Sequence, residues 1–382
     1  MNKRISELDG VRAIAVGLVF FNHFAPVKSA PWLDLIHRVG WVGVDVFFVL
    51  SGFLVTGILL KARLNPDGYF RNFYARRSLR IFPLYYLLLT GTVVVMAIAK
   101  HGLELQHMVA TWGNPLWYYA YLGNVVTAIT NVSPPGYFDP MWSLHVEEQF
   151  YLLLPPLVLY LEREHLKRVM IAAVLLAPAI RLLLAWSYPN MHLLQYQLFP
   201  CRMDSLALGG LLAIYTPAPE ATRRWRLPLF VATAGMLILA VAVFKRYGGT
   251  YDGSVERTIG YSLFDLASVG FITLVLSLRG TSATAWLNWK PLQYVGMISY
   301  GLYLFQFPAE GLVNRIARSM GLDWDGTIEK FLVVGVTCLA LATLSWYLWE
   351  TKWLAAKSRF GESRTESAAP APALASEAVS PV

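Results

Sequence analysis

The 382-residue sequence is strongly apolar: 56% of its residues are hydrophobic and only 15% are charged, and the mean hydropathy is +0.47. This composition excludes an ordinary soluble domain and predicts an integral membrane protein in a lipid bilayer. The net charge of +8 is spread over loops between apolar segments, as membrane topology requires, so nucleic-acid binding is not expected. With only Cys201 and Cys338, the sequence predicts neither a disulfide nor a metal site.

Ten apolar segments approach or reach the length that a transmembrane helix needs, roughly 17–25 residues. In chain order they are 11–27, 41–60, 79–99, 146–161, 168–187, 203–216, 227–244, 259–278, 294–313 and 331–349. The segments 146–161 and 203–216 are short and carry acidic residues at their starts, so re-entrant or half-buried helices are an alternative there. We therefore predict an all-α integral membrane protein with about ten transmembrane helices.

The distribution of Lys and Arg orients these helices. If the N-terminus is cytoplasmic, the cytoplasmic loops hold about twice as many Lys and Arg residues as the outer loops, which is the expected bias. Both termini are thus predicted in the cytoplasm, and the protein is expected to be a multi-pass protein of the cytoplasmic (inner) membrane. The segment between Lys100 and Arg163 contains neither Lys nor Arg. Its part 100–145 is predicted to form an outer cap or re-entrant elements.

The domain organisation is simple. Residues 1–355 are predicted to form one membrane domain. Residues 356–382 are rich in Ala, Pro and Ser, cannot bury enough apolar surface to fold alone, and are predicted to be a disordered cytoplasmic tail.

The first predicted helix carries the first candidate site, because ionisable groups inside a membrane are costly and mark functional positions. Eleven residues of helix turn through about 1100°, within roughly 20° of whole turns, so Arg12 and His23 face the same way, roughly 16 Å apart. This pattern predicts one wall of a polar passage. The His23 imidazole suits proton abstraction from a hydroxyl near neutral pH, with a packing role as the alternative. Asp9 is interpreted as a helix cap or a site residue.

The second predicted helix begins with small residues around Asp45 and continues to Ser51. A carboxylate followed by small residues predicts either a pocket wall or a close packing seam between helices. A nucleophilic role for Ser51 is not favoured, because the sequence around it lacks the first glycine of a G-x-S-x-G elbow.

A cluster of arginines, Arg76, Arg77 and Arg80, precedes the third span. Guanidinium groups match phosphate geometry, so a phosphorylated ligand from the cytoplasm is one interpretation. Retention of positive charge on the cytoplasmic side is the other.

The fourth span begins with Trp142, followed by Glu147 and Glu148. Adjacent residues point about 100° apart on a helix, so at most one of the two carboxylates shares a pocket with His23. Stabilisation by the helix dipole is the alternative. Arg202 and Asp204, at the start of the sixth span, are interpreted either as a structural ion pair or as site residues.

Together these strings resemble acyltransferase family 3, a family of integral-membrane O-acyltransferases. The matching strings are Asp9-Gly10-x-Arg12 with His23, Gly43-x-Asp45-x-Phe47-Phe48-x-x-Ser51-Gly52-Phe53, Arg76-x-x-x-Arg80, Trp142-Ser143-Leu144-x-x-Glu147-Glu148-Gln149 and Arg202-x-Asp204. Their common order makes the match more specific than any single string. Two positions depart from the family pattern: His145 stands where a small or polar residue is commoner, and Gln306 where a histidine is common.

The resemblance implies an enzyme that transfers an acyl group, acetyl above all, from acetyl-CoA or another acyl-CoA to a hydroxyl of a glycan, glycolipid or secondary metabolite. Cell-envelope polysaccharide is one such acceptor. His23 is then the catalytic base, and Glu148, Glu147 or Asp45 is expected to orient its imidazole. The donor-binding candidates are Arg12, Arg76, Arg77 and Arg80. The acceptor-binding candidates are Asp9, Ser51, Trp142, Arg202 and Asp204.

Two other classes of protein remain as alternatives. A transporter or flippase for an envelope precursor would use the same buried charges as a substrate path or proton relay. A non-catalytic scaffold would leave the intramembrane histidine and carboxylates without a use.

Overall fold

The structure is a computed structural model that describes residues 5–98, 106, 109, 113–215, 226–247 and 255–360. All regular secondary structure in these ranges is helical, which confirms the all-α prediction for the described part of the chain.

The described residues form α-helices of very different lengths, from one turn to eight. They are α1 (Glu7–Phe24), α2 (Asp34–Val39), α3 (Val42–Ala62), α4 (Tyr69–Ile98), α5 (Leu116–Tyr119), α6 (Gly123–Thr130), α7 (Met141–Tyr160), α8 (Arg163–Ser187), α9 (His192–Gln197), α10 (Phe199–Tyr215), α11 (Arg226–Tyr247), α12 (Tyr261–Ser277), α13 (Ser282–Ala285), α14 (Lys290–Met297), α15 (Ser299–Ser319), α16 (Ile328–Ser345) and α17 (Thr351–Ala355). Short 3₁₀ or π turns occur at Pro31–Leu33, Glu256–Gly260, Trp286–Asn288, Trp346–Glu350 and Ala356–Phe360.

Seven helical stretches of the described chain are long and apolar enough to cross a membrane. They are Pro31–Ala62, Tyr69–Ile98, Arg163–Ser187, His192–Tyr215, Leu227–Arg246, Arg257–Ser277 and Ile328–Phe360. Each coincides with one of the ten predicted spans. The other three predictions, 11–27, 146–161 and 294–313, fall on α1, α7 and α14–α15. The count of ten is therefore not confirmed, and the orientation of the termini stays a prediction.

The three remaining helices are too polar to qualify as spans by composition. In its first two turns α1 carries Glu7, Asp9 and Arg12, α7 carries Glu147 and Glu148, and α15 ends in a polar stretch. Within the bundle α1 packs against α2, α3, α14 and α15. Polar helices persist in a bilayer when protein covers their polar faces, so we interpret these three as helices whose polar faces are covered by the bundle.

Close packing of α3 on α10 forms the centre of the bundle. Gly52 of α3 lies against the main-chain carbonyl of Leu206, and Gly209 of α10 lies against that of Val49. A Cβ at either glycine would overlap a carbonyl oxygen of the other helix. This is the small-residue seam that the sequence predicts after Asp45.

Buried ion pairs and a hydrogen bond join four helices around this seam. Asp45 of α3 pairs with Arg202 of α10, and both side chains are inaccessible to solvent. Arg181 of α8 donates to Asp204 Oδ2 at 2.8 Å. Ser262 of α12 donates to the same oxygen at 2.8 Å. Away from water, such pairs fix the mutual positions of helices because an unpaired charge is so unfavourable there.

The segment before α7 is anchored through a buried histidine. The backbone N–H of Asn124 donates to His145 Nδ1 at 3.1 Å, and Tyr85 donates its single hydroxyl proton to the Tyr118 carbonyl at 2.7 Å. His145 Nε2 therefore donates to Tyr85 across the remaining 2.8 Å contact, and the imidazole is neutral in this network. This covering of α7 by α5 and α6 agrees with a cap, although residues 100–105, 107–108 and 110–112 of the predicted cap lie outside the described residues.

The end of the described chain folds back. Ala356–Phe360, the start of the predicted tail, forms a 3₁₀ turn that packs on α4. The rest of the predicted tail, 361–382, lies outside the described residues.

The buried Asp45–Arg202 pair provides a test of the packing. Arg202→Met leaves the Asp45 carboxylate without its partner, and we expect the free energy of unfolding to fall by about 3–5 kcal/mol. The double variant Asp45→Asn/Arg202→Met should lose less stability than Arg202→Met alone, because no lone charge remains. Unfolding in detergent micelles measures the free energy of unfolding of both variants. Arg279→Met is the control, because Arg279 is one-third exposed in its 3.5 Å pair with Glu7, a pair worth about 1 kcal/mol or less. Equal losses for Arg202→Met and Arg279→Met would contradict this account.

Candidate functional site

Two cavities lie along α1. The larger, about 350 Å³, is lined by His23, His37, Asp139, Tyr196 and Glu310 with seven further residues, and we call it the His23 cavity. The smaller, about 110 Å³, is lined by Arg12, Ser51, Arg77, Arg80 and Glu147 with ten further residues, and we call it the Arg12 cavity. The predicted wall with Arg12 near one end and His23 near the other is therefore present on a single continuous helix.

The same helices build both cavities. On α15, Tyr303 lines the Arg12 cavity and Phe307, one turn later, lines the His23 cavity. Around the start of α7, Ser143 lines the Arg12 cavity and Asp139, four residues earlier, lines the His23 cavity. The hydroxyls of Ser143 and Tyr303 are hydrogen-bonded at 2.7 Å. This bond joins α7 to α15 at the Arg12 cavity, and each of its residues is four positions from one that lines the His23 cavity.

The His23 ring is held by α15. Its Nδ1 contacts Gln306 Oε1 at 3.0 Å, and its ring packs against Phe307 with centroids 4.8 Å apart. An amide oxygen only accepts hydrogen bonds, so Nδ1 carries the proton and Nε2 keeps its lone pair. His23 thereby holds the tautomer that a general base requires.

The carboxylates predicted to orient this ring are engaged elsewhere. Ser51 donates to Glu147 Oε1 at 2.7 Å, Tyr151 donates to Glu147 Oε2 at 3.2 Å, and Asp45 pairs with Arg202. Glu148 lines neither cavity and lies among tyrosines, with its Oε1 buried and unpartnered in the described chain. None of the three carboxylates accepts a hydrogen bond from His23, so the structure gives the orienting position to Gln306.

The sequence reasoning missed two carboxylates that line the His23 cavity. Asp139 stands two residues before the start of α7, and burial raises the pKa of its carboxyl to about 6. Glu310, seven residues after Tyr303 on one face of α15, pairs with Lys330 at 2.7 Å. Asp139 could have been suspected from its place beside the Trp142 motif, and Glu310 from helical spacing. His37 and Arg38, on α2, gave no such signal.

The Arg12 cavity is positively charged. Arg12 pairs with Asp9 at 2.9 Å, and Arg77 lies 4.9 Å from the centre of the Tyr151 ring. Neither Arg77 nor Arg80 forms an ion pair with any described carboxylate. Glu147 is the acidic side chain that lines this cavity, so a surplus of guanidinium charge faces the space. Such a cavity suits an anion, phosphate above all.

The other predicted site residues lie outside both cavity linings. Arg76 is exposed on α4. Trp142 packs between Phe48 and Tyr196, with its ring 4.5 Å from that of Tyr196. Arg202 and Asp204 form the buried ion pairs described above. Their predicted roles in binding and that of Asp45 in catalysis stay predictions. The described residues contain no cluster of His, Cys, Asp or Glu side chains that could hold a metal ion.

A protein-family model described as an acyltransferase domain matches residues 5–350, nearly the whole described chain and both cavities. The chain belongs to this acyltransferase family. The resemblance noted from the sequence motifs is thereby confirmed.

Several bacterial proteins are similar to the chain. The putative peptidoglycan O-acetyltransferase YrhL of Bacillus subtilis (strain 168) is 28% identical over 91% of this chain and 55% of its own length. Peptidoglycan O-acetyltransferase OatA of Listeria monocytogenes is 28% identical over 82% of this chain and 50% of its own. A putative O-acetyltransferase of Staphylococcus aureus (strain COL) is 26% identical over 81% of this chain and 51% of its own. The chain spans about half the length of these curated relatives. No solved structure matches it.

Asp139 makes the stability of this acyltransferase-family protein pH-dependent. Its folded pKa of about 6 exceeds the ordinary value near 4, so the folded state binds the proton more tightly than the unfolded state. The contribution of Asp139 to stability therefore falls as pH rises from about 4 to 6 and is constant above. We expect Asp139→Asn to flatten this dependence and to raise the unfolding free energy at pH 7.5 by at most about 2–3 kcal/mol. Unfolding in detergent between pH 4 and 8 measures this pH dependence for the wild type and for Asp139→Asn. Parallel curves for the two proteins would contradict the raised pKa of Asp139.

Proposed function

We propose that this protein is a membrane O-acyltransferase that transfers an acyl group from an acyl-CoA to a hydroxyl of its acceptor. One observation supports the proposal within the family: α1 and α15 hold His23 beside one cavity, and α4 holds Arg77 and Arg80, which form no ion pair with a described carboxylate, beside the next. The family membership removes support from the transporter or flippase alternative.

The Arg12 cavity is the proposed donor site. Arg77 and Arg80 have no carboxylate partners there, so they are available for the phosphates of coenzyme A, with Arg12 beside them. If the N-terminus is cytoplasmic, the Arg12 end of α1 faces the cytoplasm, which contains the acyl-CoA. The pantetheine arm is extended and reaches along the roughly 16 Å from Arg12 towards His23.

The His23 cavity is the proposed acceptor site. His23 Nε2 takes the proton of the acceptor hydroxyl, whose oxygen bonds to the thioester carbonyl carbon. The C–S bond then breaks, and the leaving thiolate takes the proton from the imidazolium. Gln306 keeps Nδ1 protonated throughout. Since Gln306 is neutral, the charge of the imidazolium must be offset by the carboxylates that share the cavity, Asp139 and Glu310.

The names of the relatives bear on the proposed acyl group and acceptor. Proteins named as peptidoglycan O-acetyltransferases are similar over most of this chain, which supports acetyl as the acyl group and a cell-envelope glycan as the acceptor. Carboxylates, amides and the Tyr196 ring, which line the His23 cavity, are suited to sugar hydroxyls and sugar faces. We place the protein in the cytoplasmic membrane, with the lipid bilayer around its apolar helices.

Replacement of the base tests this mechanism. His23→Ala should lower acetyl transfer from acetyl-CoA by at least about 10²-fold, the usual contribution of general base catalysis. Gln306→Leu should lower kcat about tenfold with little change in KM, because the ring keeps its place among phenylalanines but loses its fixed tautomer. Mass spectrometry of envelope glycans from a deletion strain that carries each variant measures the product, and labelled acetyl-CoA gives the rates.

His165→Ala is the control, because His165 lies on the exposed start of α8 beside Glu162. It should behave as wild type. Wild-type turnover by a correctly inserted His23→Ala protein would refute the assignment of the base.

Loss of guanidinium charge tests the donor site. Arg77→Gln and Arg80→Gln should each weaken acetyl-CoA binding about tenfold, since a hydrogen bond to a charged group contributes about 1.5–3 kcal/mol. Arg71→Gln removes the same charge from an exposed position of α4 and should leave binding unchanged. Equilibrium binding of labelled acetyl-CoA to protein in nanodiscs measures all three. Equal affinities across the set would place the donor elsewhere.

A further inference from the structure

A lysine outside the family match joins the arginine cluster. The 3₁₀ turn Ala356–Phe360 packs on α4, the helix that carries Arg76, Arg77 and Arg80. Lys357 of this turn is half-buried, and the three guanidinium groups are the charges that act on its ammonium. The family match ends at residue 350, so Lys357 lies in the segment beyond the match.

These four cations lack anionic partners in the described chain. None of Arg76, Arg77, Arg80 and Lys357 forms an ion pair with a described carboxylate. Glu350 is the carboxylate whose charge reaches Arg80, and its Oε1 already accepts a hydrogen bond from Ser345 at 3.1 Å. Like charges a few ångströms apart repel by about 1 kcal/mol even in water and by more near protein. No ion pair in the described chain offsets this repulsion, so an anion with several charges would stabilise the cluster.

Membrane topology alone does not require that Lys357 lie near the arginines of α4. Retention of positive charge depends on the number of Lys and Arg residues in a loop and not on their contacts. Lys352 and Arg359, on the same segment, are exposed and satisfy that rule. Lys357 is instead half-buried in the turn that packs on α4, the helix of the three arginines, and their charges act on its ammonium.

We propose that the segment 351–360 completes an anion site, in which Lys357 and the arginines of α4 together bind a ligand with several phosphate charges. The nucleotide end of the acyl-CoA is one source of this chemistry, and in that case the inference rests on the proposed function. An anionic phospholipid headgroup is the other source. Arginine forks contact phosphate oxygens in a fixed plane, whereas the lysine supplies a mobile point charge, so the turn acts as a clamp on the ligand held by α4.

The test uses the full chain in nanodiscs of phosphatidylcholine, with binding of labelled coenzyme A as the readout. Lys357→Gln should weaken binding about five- to tenfold in low salt, and the difference should shrink as salt screens the charges. Lys357→Arg should restore affinity to within about twofold. Lys352→Gln is the matched control, with the same loss of charge on the same segment, and should bind as wild type does.

A second arm identifies the source of the phosphate. Wild type and Lys357→Gln are purified from nanodiscs that contain phosphatidylglycerol, and the retained anionic lipid is counted by mass spectrometry. A loss of coenzyme A affinity in Lys357→Gln identifies the nucleotide, and a loss of retained lipid identifies the headgroup. Wild-type behaviour of Lys357→Gln in both arms overturns the proposal, as does an equal loss in Lys352→Gln. Failure of the wild type to bind coenzyme A would instead refute the proposed donor site, and the lipid arm would still decide this inference.

Discussion

The structure depends on the enclosure of polar side chains away from lipid. Every polar group in a bilayer must be satisfied by protein or by a water-filled cavity. Helices α1, α7 and α15 bring Arg12, His23, Glu147 and Glu310 into the bundle, and the apolar helices around them supply the surface that faces lipid. The two cavities exist because three polar helices share one interior, and the proposed reaction takes place along the faces that they expose to each other.

The charges inside the bundle fall into two groups, those that form ion pairs and those that do not. Asp45 with Arg202, and Arg181 with Asp204, neutralise each other and fix the positions of helices. Among the described residues, Arg77, Arg80 and Lys357 form no such ion pairs. A buried charge without a partner is costly to fold. We therefore interpret the ion pairs as structural and propose that the arginine cluster binds a ligand.

The sequence predicted the local relations well and the long-range ones poorly. The shared face of Arg12 and His23 follows from helical geometry alone, and the seam at Gly52 follows from small residues. The hydrogen bond from His23 to Gln306 joins positions 283 residues apart, and the contribution of Asp139 depends on how a loop packs over α1. Tertiary packing decides such contacts. The predicted count of ten spans includes α1, α7 and α15, which are not among the seven candidate spans of the described chain.

The central claim is that donor and base occupy successive cavities along α1. A structure determined by cryo-electron microscopy with a non-reactive thioether analogue of acetyl-CoA tests it most directly. The account predicts nucleotide phosphates beside Arg77 and Arg80, and an acetyl group that points past the Ser143–Tyr303 hydrogen bond towards His23. Nucleotide density in the His23 cavity, or an acetyl group directed away from α1, would contradict it.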